Sequence, residues 1–117
     1  MPTERPRDRF NDITRNIDSI FRYVDGLSQL TFLADPKTVD ALERCLGRIS
    51  EAAVKLGQTA DALEPSQPWG DIRGLGNRLR HEYDTIDRVE IWRIVQEDLA
   101  SLRLACDRIV QRWESRG

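Results

Sequence analysis

The stretch DPKTVDALERCLGRISEAAVKLG, Asp35 to Gly57, decides the fold. Asp35 is an N-cap type of residue, and Pro36 after it falls in the first helical position, where its missing N–H costs nothing. From there Val39, Leu42, Leu46, Ile49, Ala53 and Leu56 recur at spacings of three and four, which lays them along one face of a helix. Gly57 is a natural C-terminal stop. The segment reads as one amphipathic helix that buries a continuous stripe.

Upstream, Phe10, Ile13, Ile17, Ile20, Val24 and Leu27 repeat the same spacing, with Phe21 widening the stripe, so a helix precedes this one. Downstream, residues 57–68 (GQTADALEPSQP) carry two prolines and small polar residues, and are expected to turn, with a short helical piece at Ala60–Leu63. Pro68 is expected to open a further helix through Trp69, Ile72, Leu75 and Leu79, ending around Tyr83 and Asp84. Asp87 with Glu90 matches a capping box, and Trp92, Val95, Leu99, Leu102, Cys106, Ile109 and Trp113 then form one stripe, read as a single uninterrupted last helix of roughly 40 Å. Strand-like alternation and internal repeats are absent from the sequence. The expectation is an all-α, antiparallel bundle of four to five helices. The length of the last helix leaves two readings open, a face packed on a second copy in a two-fold dimer or a simple overhang.

The remaining arithmetic narrows the class. A chain of 117 residues has room for one domain, taken as 1–117. Hydrophobic residues make up 39% and charged residues 32%, a globular composition that is neither disordered nor lipid-buried. With a net charge of -2 there is no global field toward nucleic acid or anionic lipid, so any basic site must be local. Of the 18 Lys+Arg residues only Lys37 and Lys55 are lysines and the rest are arginines, through base composition of the genome or through recognition of phosphate or carboxylate. The start, MPTERPRDRF, is charged where a secretory signal would be apolar, and no apolar run approaches the ~20 residues of a membrane span, which gives a cytoplasmic expectation with no membrane partner. Cys45 and Cys106 are far apart with no CxxC, and the chain has one histidine, so neither a zinc site nor a disulfide scaffold is signalled. Both are expected to be buried thiols, with no metal and no cofactor.

Residues 69–83, WGDIRGLGNRLRHEY, depart from a purely structural helix. Gly74 and Gly76 each cost about 1 kcal/mol relative to alanine in a helix interior, and either close approach of another helix or access of a ligand to the backbone would offset that. Arg73, Arg78, Arg80 and His81, the one histidine, fall close together. On an ideal helix Arg78 lies about 60° and Arg73 about 80° from His81, and Asn77 precedes His81 by four residues. This places a cation, an amide and a proton-transfer group within reach of one surface, the groups that phosphodiester cleavage without a metal needs. The alternative is a solvated surface histidine among arginines. Tyr83 either faces the same cleft or anchors the helix end through its ring.

Together Pro68-Trp69, Gly74-Leu75, Asn77, His81-Glu82-Tyr83 and Ile86-Asp87, with Glu51-Ala52-Ala53 in the phrase Glu43 to Leu56 and Trp92 after the capping box, resemble the HepT-like branch of the HEPN superfamily. The resemblance runs over nearly the whole chain. It implies a small helical homodimer that cleaves RNA as the toxin of a toxin–antitoxin system, partnered by a minimal nucleotidyltransferase antitoxin. By the same resemblance His81 takes the catalytic histidine position, Tyr83 the tyrosine that such antitoxins adenylylate, and Asn77 the polar residue after the motif arginine. That arginine should stand at position 76, where this chain has glycine. Arg73 or Arg78 could supply the lost guanidinium, a dimer-related arginine could, or the chain is a degenerate module that binds RNA or its antitoxin without cleaving. Arg73, Arg78 and Arg80 are the candidate RNA-binding cations, and the expected catalytic set is His81, Asn77, Arg73 and Arg78.

Overall fold

A computed structural model describes residues 5–80 and 87–116. His81 and Tyr83, and the expected helix end at Tyr83 and Asp84, lie outside the described residues. Among the described residues seven helices follow in order: α1 (Pro6–Val24), α2 (Gln29–Leu33), α3 (Pro36–Leu56), α4 (Gln58–Leu63), α5 (Trp69–Arg80), α6 (Arg88–Glu97) and α7 (Leu99–Arg116). Among the described residues there is no strand, and no helix is long and apolar enough to cross a membrane. The all-α expectation holds.

Each boundary has a local cause. The Thr38 N–H donates to Asp35 Oδ1 at 3.2 Å, so Asp35 caps α3 with Pro36 in its first turn, and Gly57 ends α3 at φ +55°. α2 was not anticipated from the sequence. Ser28 and Thr31 form a reciprocal cap at its start, with threonine where the usual signature carries Glu or Gln, and Phe32 is fully buried against Trp92 at a ring separation of 5.1 Å.

The apolar stripes converge on α3, which packs on α1 on one side and on α5 on the other. Phe10, Ile13, Ile17 and Ile20 of α1 and Leu42, Leu46, Ile49 and Leu56 of α3 are all buried. α7 covers α1 in antiparallel sense: Arg7 pairs with Glu114 at 3.8 Å and Asp18 with Arg103 at 2.6 Å, so the start of one helix meets the end of the other. Each buried large apolar side chain is worth about 1.5–3 kcal/mol, against at most about 1 kcal/mol for an exposed ion pair. The stripes hold the bundle and the ion pairs set its register.

Two sequence expectations are corrected. The last helix is not continuous: it breaks at Asp98, which separates α6 from α7. Its two halves have different partners, because α6 carries Trp92 onto Phe32 of α2 while α7 lies along α1. Arg93 bridges the break to Asp98 at 3.4 Å. The capping box at α6 is also only half formed. Asp87 Oδ1 accepts the Glu90 N–H at 2.8 Å, but the Glu90 carboxylate is engaged by Arg78 of α5.

Candidate functional site on α5

α5 is anchored at its start by Trp69. The indole is buried, its Nε1–H donates to the Glu64 carbonyl at 2.8 Å, and its ring meets Phe10 edge-on at 6.2 Å. Glu64 is itself buried and accepts from Arg108 and Arg112, which ties the turn before α5 to α7. The Arg108 hydrogen bond is the main reason that the Glu64 carboxyl titrates below its ordinary range, and burial opposes it.

Halfway along, α5 is pinned to α3 through one serine. Ser50 is 2% exposed, its hydroxyl donates to the Arg73 carbonyl at 3.0 Å, and it accepts the Gly76 N–H at 2.9 Å. A Cβ at position 76 would stand 3.0 Å from Ser50 Oγ. Of the two explanations open for the glycines, close helix approach holds at Gly76. Gly74 differs, since a Cβ there meets nothing within 4 Å. It borders a groove of about 420 Å³ between α5 and α6–α7, with buried Leu46, Ile49 and Leu75 beneath and the half-exposed Arg78 and Arg93 at its margin.

The three arginines of α5 take different partners. Arg73 reaches back to α4, donating to Asp61 at 3.0 and 3.4 Å and to the Gly57 carbonyl at 3.3 Å. Arg78 points to α6 and binds Glu90 at 2.8 Å. Arg73 is therefore engaged on the α4 side of α5 and Arg78 on the α6 side. Arg80 folds back along its own helix, donating to Asn77 Oδ1 at 3.0 Å, with Nη1 3.4 Å from where a Gly76 Cβ would be. Asn77, Arg78 and Arg80 are exposed, so an amide and two guanidinium groups face solvent on the last turn before His81.

Three supporting roles escaped the sequence reading: those of Ser50 and Asp61, and the pairing of Glu90, read there only as part of a capping box, with Arg78. Ser50 had a signal, a hydroxyl one residue after Ile49 beside the apolar stripe. The arginine pairings of the two carboxylates had none, because which charge meets which across helices is not visible in sequence. Both cysteines are buried as expected. Burial pushes the Cys106 thiol up to about 12 and raises Cys45 as well, so neither is poised as a nucleophile.

Residues 13–109 match the family described as Ribonuclease HepT-like. A protein of Thermococcus cleftensis with the name probable ribonuclease HepT is 31% identical over 97 residues, covering 83% of this chain and 88% of that one. An RNase-named protein of Caldanaerobacter subterraneus subsp. tengcongensis is 27% identical, covering 92% of this chain and 96% of that one. An RNase-named protein of Methanocaldococcus jannaschii is 33% identical, covering 81% and 78%. No solved structure gives a significant match. The match spans the whole of α5 and the six residues that follow it, within an all-helical bundle of the expected kind, and on that ground this chain belongs to the HepT-like ribonuclease family.

Proposed function

We propose that this chain is the RNA-cleaving toxin of a toxin–antitoxin pair, acting in the cytoplasm as a homodimer and as an endoribonuclease that needs no metal. The family match over residues 13–109 carries the reading, since it takes in α5 and the positions of His81 and Tyr83. His81 serves as proton acceptor for the ribose 2′-hydroxyl or as proton donor to the leaving 5′-oxygen, water taking the other transfer. A guanidinium from the α5 cluster of Arg73, Arg78 and Arg80 offsets the charge that builds on the phosphate oxygens. The 2′-oxygen bonds to phosphorus as the bond to the 5′-oxygen breaks, so the products are a 2′,3′-cyclic phosphate and a 5′-hydroxyl. Cleavage of a mixed RNA pool in chelator, compared between wild type and His81→Ala, tests this. Loss of those ends in His81→Ala is expected, and full rate in that variant or abolition by chelator overturns it.

A second reading is favoured by Gly76, which stands against Ser50 where the motif arginine is expected. In it the chain is a catalytically degenerate module that binds RNA or the nucleotidyltransferase antitoxin and is adenylylated at Tyr83. A nucleotide on Tyr83 would set phosphate charge beside the arginines and block RNA. Co-expression with the antitoxin should add the mass of one adenylyl group to the peptide that contains Tyr83. An unchanged mass, or an addition elsewhere, overturns that role.

A further inference from the structure

We propose that Arg80 is the arginine of this chain that takes a phosphate oxygen of the RNA backbone, held over Gly76 by its hydrogen bond to Asn77. The proposal rests on the ribonuclease reading above and supplies the cation for it.

Three observations lead to it. Arg73 and Arg78 give their guanidinium groups to carboxylates of neighbouring helices, Asp61 and Glu90, and must give up those pairs before either can take a phosphate. Arg80 has no carboxylate partner among the described residues; its contact is with the neutral amide oxygen of Asn77. A guanidinium has five donors, so Arg80 keeps its charge and most of its hydrogen-bonding capacity for an incoming anion.

Its placement is the second point. An exposed arginine normally samples many rotamers, and ordering it on binding costs affinity. Here the side chain is folded back one turn, tethered by Asn77, with Nη1 lying 3.4 Å from the position of a Gly76 Cβ. The fork is already oriented.

Gly76 is the third. A Cβ there would press on Ser50 Oγ at 3.0 Å and would stand in ordinary contact, 3.4 Å, with Arg80 Nη1, so the guanidinium lies directly over this position. The chain that lacks an arginine at 76 thus carries a guanidinium from Arg80 beside the same backbone position. Arg73 and Arg78, each held at a different neighbour, carry none there.

The test uses the full chain with Arg80→Ala, Arg80→Lys, Arg73→Ala and Arg78→Ala. Three quantities are read: binding of a 2′-O-methylated RNA that cannot be cleaved, cleavage of its 2′-hydroxyl counterpart, and thermal unfolding. Arg80→Ala is expected to weaken binding by about tenfold or more and to slow cleavage by about 100-fold, with Tm unchanged because the side chain is exposed. Arg80→Lys should recover part of the binding and little of the cleavage, since an ammonium restores charge without the planar fork. Arg73→Ala and Arg78→Ala should lose less cleavage than Arg80→Ala and should unfold at lower temperature. If wild type cleaves and Arg80→Ala cleaves as fast, the assignment to Arg80 is overturned and the ribonuclease reading stands. If wild type neither binds nor cleaves either RNA, that reading falls and takes the assignment with it.

Discussion

The hydroxyl oxygen of Ser50 lies 2.9 Å from the amide nitrogen of Gly76 and accepts its N–H, so the last third of α3 is hydrogen-bonded to the second half of α5 through one buried side chain. The same oxygen donates to the Arg73 carbonyl at 3.0 Å and cannot retreat from a new neighbour without weakening both bonds. Ser50→Ala is expected to cost about 1 kcal/mol. Added to Gly76→Ala it should cost less than it does alone, because the oxygen that crowds the new Cβ is gone. Urea unfolding of the four chains of this cycle reads the coupling; strict additivity would refute the crowding.

Gly74 gives the opposite expectation. A Cβ there enters open space, so Gly74→Ala should stabilise the protein by up to about 1 kcal/mol through helix propensity alone. A rise in Tm checks it. Destabilisation by this substitution would mean that α5 packs more tightly against α6 than the groove between them indicates.

Acid should loosen the turn that precedes α5. The Arg108 hydrogen bond holds the Glu64 carboxyl below its ordinary value in the folded chain, so its contribution is fully present above the unfolded-state value and is lost as pH falls through the folded one. The window therefore lies below the ordinary carboxylate range. Glu64→Gln should be less stable than wild type near neutral pH, and the gap should close as pH drops into that window. Unfolding midpoints measured from pH 7 downward supply the comparison, and a gap that stays constant would exclude this linkage.

Cys106 is fully buried with its thiol pushed up to about 12, so it should resist an aromatic disulfide reagent at pH 8 in the native chain. Modification should follow the rate of unfolding and become immediate in denaturant. Rapid labelling of the native protein at Cys106 would contradict the burial of this face of α7.

Much of the fold could be read from local pattern. The stripes of α1 and α3, the Asp35 cap and the Gly57 stop all depend on residues within a few positions of one another, and each appears where the spacing puts it. Two features did not follow that logic. α2 is only five residues long, too short to show a period, and its weight in the core comes from Phe32 meeting Trp92 sixty positions away. The break at Asp98 interrupts a stripe that is continuous in sequence, because two halves of that stripe serve two different neighbours.

The site divides in the same way. The sequence by itself determined that α5 carries glycines, an amide and a cluster of arginines, that it leads into His81 and Tyr83, and which family the pattern resembles, because residue identity and helical period are local properties. Only the tertiary structure decided which arginine is engaged by which neighbour. Arg73 is held by Asp61 of α4, Arg78 by Glu90 of α6, and Arg80 lies over Gly76. Those choices are made by how α4, α6 and Ser50 of α3 pack around α5, at separations over which no periodicity in the chain carries information.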